Sequence, residues 1–161
     1  MSQMIKVGMA DLNICKSPNA ITTLGLGSCI GIAIYDPVTK IGGLAHIMLP
    51  DSTKIRNNSN IAKFADTGIT ELVNRMVRAG ANKRRMVAKI AGGAKMFEVS
   101  GPDTIGSIGM KNAIASRMKL KELGIRLVAE DTGLNYGRTV ELHCDTGEYY
   151  IKSVGKPLKI I

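Results

Sequence analysis

The sequence contains no tryptophan, and aromatic residues make up only 4% of its 161 positions. A core without large rings must be built from aliphatic side chains and methionine, and hydrophobic residues account for 45% of the chain. The scarcity of aromatic side chains disfavours single-stranded nucleic acid as a ligand, because such binders stack bases on aromatic rings. The net charge of +9 is spread along the chain, and it fits an acidic protein surface at least as well as nucleic acid.

Cysteine is also scarce. The three cysteines, Cys15, Cys29 and Cys144, include no Cys-x-x-Cys pair, so we expect neither a structural zinc site nor a disulfide framework. Reduced thiols predict a reducing compartment, hence the cytoplasm. The N-terminal residues lack the apolar core of a signal peptide, and no apolar run approaches the length of a membrane span. The sequence therefore predicts a cytoplasmic protein without membrane insertion.

Apolar patterning predicts short strands separated by turns, together with two helices. The strands are expected at residues 4–10, 21–26, 29–35, 41–49, 86–90, 126–130, 139–144 and 149–154, and the helices at 61–79 and 107–123. On the second helix, the spacing of Met110, Ala113, Ile114 and Met118 predicts the buried face. Since no repeat or linker interrupts the chain, we expect one layered domain over residues 1–161. Its class is α/β (α+β), with a mainly antiparallel or mixed sheet and two main helices packed on it.

One cysteine–histidine pair is the best candidate for a catalytic site. The chain has only two histidines, and His143 precedes Cys144 in a predicted strand, so those two side chains point to opposite faces. Cys15 has no neighbouring feature that would activate it. Cys29 and His46 remain, on two predicted strands that one short hairpin joins, and they are the minimum parts of a nucleophile and its base.

The residues just before Cys29 favour this interpretation. Gly27 and Ser28 end a glycine-rich turn that brings main-chain N–H groups close to the sulfur, where they could stabilise an oxyanion. An imidazole beside the thiol would lower the thiol pKa. Thr23, six residues upstream, could orient His46 as the third member of a triad. The alternative stays open, because free cysteines are commonly buried as small hydrophobic residues and glycine-rich turns are common in sheets.

Five segments carry a resemblance: KVGMADLNI, TLGLGSCIGIAIYD, GGLAHIMLP, KIAGGAKMF and NYGRTVEL. They occur in one order over nearly the whole chain and resemble the chemoreceptor glutamine deamidase family, CheD. The most specific match is TLGLGSC followed by GGLAH, which contains the family's catalytic Thr, Cys and His at matching spacing. The resemblance implies that Cys29 is the nucleophile, His46 the general base and Thr23 the third catalytic residue. It also implies a fold resembling that of glutamine-deamidating bacterial toxins.

The same resemblance implies function and partners. The expected reaction is deamidation of selected glutamines on methyl-accepting chemoreceptors, with no metal or organic cofactor. Family members also bind the CheC phosphatase, so a mainly non-catalytic adaptor is the leading alternative, and nucleic-acid binding is a more distant one. Phe97 lies in a region that the family uses at its protein interface. Lys111 stands where the family is expected to carry arginine, which leaves the fold prediction unchanged.

Overall fold

The computed structural model describes residues 2–96 and 107–161. In these residues the chain forms ten strands and two helices. In chain order they are β1 (Met4–Val7), β2 (Asp11–Lys16), β3 (Ala20–Leu26), β4 (Ile30–Asp36), β5 (Ile41–Ile47), α1 (Ala65–Arg78), β6 (Val87–Gly92), α2 (Ile108–Glu122), β7 (Arg126–Thr132), β8 (Arg138–His143), β9 (Tyr149–Lys152) and β10 (Lys159–Ile160). No helix in the described ranges is long and apolar enough to cross a membrane.

The strands form two five-stranded sheets. The first has the order β1-β3-β8-β9-β10 and the second the order β2-β5-β4-β6-β7. Pairing is antiparallel except between β1 and β3 and between β6 and β7, where it is parallel. The expected class, a layered domain with mainly antiparallel or mixed pairing and two helices, is confirmed.

The second sheet is the middle layer of the molecule. Every residue of β4 and β5 is buried, because one face of these strands packs on the helices and the other on the first sheet. Strands covered on both sides are continuous apolar runs rather than alternating ones. The helix-side core includes Ile32, Ile34, Ile69 and Leu72. The core between the two sheets includes Ala33, Leu44, Val140 and Leu142.

The prediction of which face of α2 is buried is wrong. Met110, Ile114 and Met118 are 49%, 45% and 66% exposed, and only Ala113 of the predicted set is buried. The helix instead buries Gly109, Asn112, Ala113, Ser116 and Leu120. These are mostly small residues, and they let the helix approach the second sheet closely. A periodicity argument that assigns the largest apolar side chains to the core therefore selects the opposite face.

Two strands are absent from the sequence prediction. The chain turns after Val7, with Ala10 in the left-handed region at φ 54°, so the single strand expected over residues 4–10 ends early. Asp11–Lys16 then forms β2, which pairs with β5 in the other sheet. β10 pairs with β9 from beyond the last predicted strand. Both strands depend on distant partners, which local pattern does not reveal.

The expectation that all three thiols are reduced is also contradicted. Cys15, at the end of β2, forms a disulfide with Cys144, which follows β8, so the bond joins the two sheets. Both residues are buried in the layer between the sheets. The two cysteines are 129 positions apart in sequence, so local pattern does not reveal that they are close. With two of the three cysteines joined, cysteine usage no longer indicates a reducing compartment. Cys29 is the free cysteine.

An ion pair between buried Asp36 and partly exposed Arg85 fixes the end of the β4–β5 hairpin, and its loss has a predictable cost. Asp36 is fully buried and accepts two hydrogen bonds from the Arg85 guanidinium, at 3.0 and 2.9 Å. Burial alone would raise the pKa of Asp36, but these bonds and those from main-chain N–H groups hold it well below its ordinary 3.8. We expect Asp36→Asn to lower the free energy of unfolding by about 2 kcal/mol at pH 7, because an amide in place of the buried carboxylate leaves N–H donors of Arg85 and Asn82 without an acceptor.

Chemical denaturation measures this loss. The carboxylate of Asp36 stabilises the fold above its unfolded pKa of about 3.9, and this contribution disappears as the pH falls through its lower folded value. The difference between wild type and Asp36→Asn should therefore shrink below about pH 4. Glu71→Gln, which removes an exposed pairing with Arg78, is the matched control and should cost far less. Equal losses in the two variants would contradict the prediction.

Candidate active site

Cys29 and His46 lie on the same face of the second sheet. His46 is in β5 and pairs directly with Gly31 of β4. Cys29 is two residues before Gly31, so its side chain points to the same side as that position. It is therefore a diagonal neighbour of His46, a relation in which Cα atoms on adjacent strands are typically about 7–8 Å apart. The hairpin places the two predicted side chains at neighbouring positions of the layer between the sheets, and no hydrogen bond joins them in the described residues.

Thr23 reaches the imidazole from the other sheet. It lies in β3, and its Oγ1 is 2.7 Å from His46 Nδ1 and 2.8 Å from the Val7 carbonyl oxygen. Thr23 and His46 are each 1% exposed. The contact between the two therefore crosses the interface of the sheets and is buried.

The hydroxyl contacts determine which imidazole nitrogen carries the proton. A carbonyl oxygen can only accept, so the single hydroxyl proton of Thr23 is donated to Val7. The lone pair of Thr23 Oγ1 then accepts the proton of His46 Nδ1. The other nitrogen, Nε2, is unprotonated in the neutral ring. Among the described residues this buried atom has no hydrogen-bond partner, so its lone pair can accept a proton.

Burial sets the charge of both groups. It lowers the pKa of His46 below its ordinary 6.5, which favours the neutral imidazole. It also raises the pKa of the Cys29 thiol above 9.0, and the main-chain N–H of Cys29 opposes that effect only in part. The expected lowering of the thiol pKa is therefore not found. Both directions favour the uncharged forms at neutral pH, a thiol at Cys29 and a neutral imidazole at His46.

Hydrogen bonds to three main-chain carbonyl groups hold the turn before Cys29 in place. The carbonyl oxygens of Gly27 and Cys29 accept from the main-chain N–H groups of Ala94 and Gly93, both at 2.9 Å. The carbonyl of Ser28 accepts from the Asn112 side chain at 2.9 Å. A trans peptide places each N–H opposite the preceding carbonyl, so the N–H groups of Ser28 and Cys29 point away from these anchors.

The residues predicted for the oxyanion site have different parts in this turn. The N–H of Gly27 donates to the Gly25 carbonyl at 3.1 Å, so Gly27 serves the bend of the chain. Gly25 adopts φ 70°, the left-handed region that glycine enters without strain. The main-chain N–H of Cys29 lies close enough to the sulfur to affect the pKa of the thiol.

The remaining candidates lie elsewhere. His143 Nε2 is 3.1 Å from Glu141, outside this site, and Phe97 falls outside the described residues. Within residues 2–96 and 107–161 no group of three or more His, Cys, Asp and Glu side chains could hold a metal ion. Sequence reasoning missed Asn112, whose only signal is a polar side chain on a helix face made otherwise of small and apolar residues.

Comparison with known proteins identifies the family. The model of a family described as CheD chemotactic sensory transduction matches residues 48–153. The chain is 59% identical over 161 residues to a probable chemoreceptor glutamine deamidase CheD of Lachnoclostridium phytofermentans, with 100% of both chains covered. A protein of the same name from Caldanaerobacter subterraneus subsp. tengcongensis is 52% identical over 160 residues, with 99% of both chains covered.

A solved structure supports the fold. A Neisseria meningitidis protein of the DUF152 family superposes with a TM-score of 0.52 over 81% of this chain and 64% of its own, at 14% identity. At that identity the likeness concerns the fold alone. The family model and the full-length relatives together show that the chain belongs to the CheD family.

Proposed function

We propose that this protein is a protein-glutamine deamidase of bacterial chemotaxis, which converts selected glutamines of methyl-accepting chemoreceptors to glutamate and releases ammonia. The observation that carries the proposal is the hydrogen bond between Thr23 and His46. It leaves the unprotonated Nε2 of His46 on the face of the sheet that also carries Cys29. The names of the full-length relatives supply the substrate class. Because the family's target glutamines lie on the cytoplasmic helices of the receptors, we also propose a cytoplasmic location.

The first half of the reaction forms a thioester. The Cys29 sulfur attacks the side-chain carboxamide carbon of glutamine while its proton passes to His46 Nε2, and a C–S bond forms as the carbonyl oxygen gains negative charge. The N–H groups of Ser28 and Cys29 donate to that oxyanion. When the oxyanion collapses, the C–N bond breaks and the imidazolium gives its proton to the departing amine, which leaves as ammonia.

The second half of the reaction restores the enzyme. Neutral His46 takes a proton from water, which attacks the thioester carbon. The C–S bond then breaks, glutamate is released, and the thiolate recovers the proton from His46. The side chains of Cys29 and His46 and the main-chain donors suffice for each proton and electron pair, so the steps call for no metal or organic cofactor.

The charge of the protein suits this substrate. A net charge of +9 favours docking on an acidic helical bundle, chiefly through the association rate and the orientation of the encounter. The product carboxylate can then serve as a methylation site, which couples deamidation to the signalling state of the receptor.

A direct assay tests the proposal. The purified protein is incubated with the cytoplasmic domain of a chemoreceptor, glutamine-to-glutamate conversion is followed by peptide mass spectrometry, and ammonia is measured in parallel. We expect conversion at a few glutamines with an equal amount of ammonia. Receptor peptides that stay unmodified, although the protein binds the receptor, would overturn the assignment.

Thr23 tests the proposed protonation state. Thr23→Val keeps the shape of the side chain but removes the acceptor of His46 Nδ1–H, so the proton is free to move to Nε2, where it blocks the base. We expect kcat/KM for deamidation to fall about 30-fold, less than the roughly 10²–10⁴-fold for loss of a general base, because the imidazole itself remains. Nitrogen-15 NMR of the imidazole reports the tautomer directly.

The control for this prediction is Thr23→Ser, which retains the hydroxyl. It should keep most of the activity and the Nδ1–H tautomer. Equal rates and identical nitrogen shifts in the two variants would show that the Thr23 hydroxyl does not set the tautomer.

An adaptor role is the second candidate, and the exposed face of α2 favours it. Ile114 and Met118 line a groove of about 720 Å³ whose other wall includes Leu49 and Pro50, just beyond the strand of His46. Exposed apolar patches of this kind commonly mark protein interaction sites. We propose a CheC-type phosphatase as the occupant, because it is the partner that the family resemblance implies.

A further inference from the structure

Asn112 joins the two segments that carry the reactive side chains. It lies in the first half of α2 and is fully buried. Its side-chain nitrogen donates to the carbonyl oxygen of Ser28 at 2.9 Å and to that of Met48 at 2.9 Å. Ser28 immediately precedes Cys29, and Met48 is two residues after His46. One amide group therefore bridges the turn of the nucleophile and the strand of the base.

The side chain of Asn112 lies where the main-chain pairing of β4 with β5 ends. The last registered pair is Ile30 with Ile47, so the next opposing positions are Cys29 and Met48. At these positions the hydrogen bonds of the Asn112 side chain take the place of further main-chain hydrogen bonds between the two strands. The orientation of its amide is unambiguous, because the reverse orientation would place Oδ1 against two carbonyl oxygens.

Close packing of α2 makes this reach possible. A Cβ atom at Gly109 would lie 2.5 Å from the Ala94 carbonyl oxygen, and one at Gly93 would lie 2.8 Å from the Gly109 carbonyl oxygen. Both distances are too short for any side chain, so the start of the helix rests directly on the segment after β6. That segment also holds the nucleophile turn through the bonds of Gly93 and Ala94.

The bond to Ser28 has a consequence for the reacting atoms. It fixes the plane of the peptide between Ser28 and Cys29, and in a trans peptide the Cys29 N–H must then point to the opposite side. That N–H lies against the Cys29 sulfur and partly offsets the effect of burial, which raises the pKa of the thiol. A hydrogen bond to the carbonyl also polarises the peptide and strengthens its N–H as a donor.

We infer that Asn112 is a positioning residue for the reaction proposed above: by holding the Ser28 and Met48 carbonyls, it sets the separation of Cys29 from His46 and aims the Cys29 N–H at the developing oxyanion. The inference rests on the proposed function for the oxyanion, while the separation of thiol and base is a property of the fold. Buried hydrogen bonds that fix reacting groups within a fraction of an ångström are the usual support of such sites.

Asn112→Asp is the decisive variant, because it preserves shape while replacing both donors with a carboxylate that repels the two carbonyl groups. We expect its kcat for deamidation to fall about 100-fold, as for loss of one oxyanion donor, with KM changed less than about threefold. The rate of Cys29 alkylation by iodoacetamide, measured against pH, should also change in its midpoint. Asn112→Ala, in which water can reach the two carbonyls, should lose about tenfold in kcat.

Ser116→Ala is the matched control. Ser116 is fully buried on the same helix, and its hydroxyl donates to the Asn112 main-chain carbonyl at 2.8 Å, without contact to Ser28 or Met48. Denaturation curves of the variants separate a loss of stability from a loss of positioning. If Asn112→Asp and Asn112→Ala match Ser116→Ala in kcat and in the alkylation profile, the inference is wrong.

Alkylation distinguishes this failure from failure of the proposed function. It needs no receptor, so it reports on the environment of Cys29 even if the wild-type protein converts no glutamine. A changed alkylation profile without any deamidation would reject the proposed reaction and retain the bridge. Unchanged alkylation beside normal wild-type deamidation would reject the bridge and retain the reaction.

Discussion

Cys29→Ala is expected to reduce the deamidation of receptor glutamine to the uncatalysed background, a fall of at least about 10⁴-fold in kcat. Without the sulfur no thioester can form, and the remaining N–H donors polarise the carboxamide without a nucleophile to attack it. The substitution removes one sulfur from the edge of a core, so the fold should persist. Peptide mass spectrometry over a long incubation, with the same receptor domain as for the wild type, measures the loss.

Cys29→Ser provides the control for shape. A hydroxyl has a far higher pKa than a thiol, so neutral His46 activates it poorly and the rate should stay near background. Circular dichroism and receptor binding should match the wild type for both variants. Conversion by Cys29→Ala at a rate close to that of the wild type would remove Cys29 from the mechanism.

The same variant separates the two proposed roles. An adaptor needs the groove beside α2 but not the thiol, so Cys29→Ala should still bind a CheC-type phosphatase as the wild type does. If chemotactic adaptation in cells survives this variant, binding is the main role of the protein. If adaptation fails while phosphatase binding persists, the reaction is the main role.

The sequence predicts that Cys29 and His46 flank one hairpin, and the structure confirms that placement, because the information is local. The turn from Asp36 to Lys40 that closes the hairpin has typical turn composition. Antiparallel strands joined by a short turn are adjacent by necessity, so the register follows from the turn. The structure pairs Gly31 with His46, so Cys29, two residues before Gly31, is the diagonal neighbour of His46.

The contact between Thr23 and His46 does not follow from their spacing in sequence. Thr23 and His46 belong to different sheets, and they meet because β3 pairs with β1 and β8 while β5 pairs with β2 and β4. The separation into two sheets depends on pairings between distant segments, for which a single sequence carries little signal. The disulfide between Cys15 and Cys144 escaped prediction for the same reason.

Asn112 was concealed by a different physical effect. A helix normally buries its largest apolar side chains, and on α2 that rule selects Met110, Ile114 and Met118. The helix instead turns small residues toward the sheet, where close backbone approach and two side-chain hydrogen bonds replace apolar packing. Geometry that positions a reactive group can therefore reverse the usual pattern of burial.

His46→Ala is expected to lower kcat for deamidation about 10³-fold at pH 7. Since the pKa of Cys29 is raised by burial, almost no thiolate exists at that pH, and attack depends on transfer of the thiol proton to His46. His143→Ala is the control, because that imidazole pairs with Glu141 outside the site and should leave the rate unchanged. Equal losses in the two variants would show that neither histidine is the base.

The pH dependence gives the sharper result. In the wild type the rate should fall in acid as His46 takes up a proton, with a midpoint below 6.5 because burial lowers the pKa of the imidazole. Above that midpoint the rate should be level through neutral pH, because the base is already free and the thiol is still protonated. In His46→Ala hydroxide has to generate the thiolate, so the residual rate should rise about tenfold per pH unit until the raised pKa of Cys29 is reached. A thiolate–imidazolium pair in the wild type would instead make the alkylation rate of Cys29 by iodoacetamide independent of pH near neutrality, whereas a neutral thiol is alkylated about tenfold faster per pH unit. The pH dependence of Cys29 alkylation in the wild type therefore decides whether the thiol is deprotonated before the attack or during it.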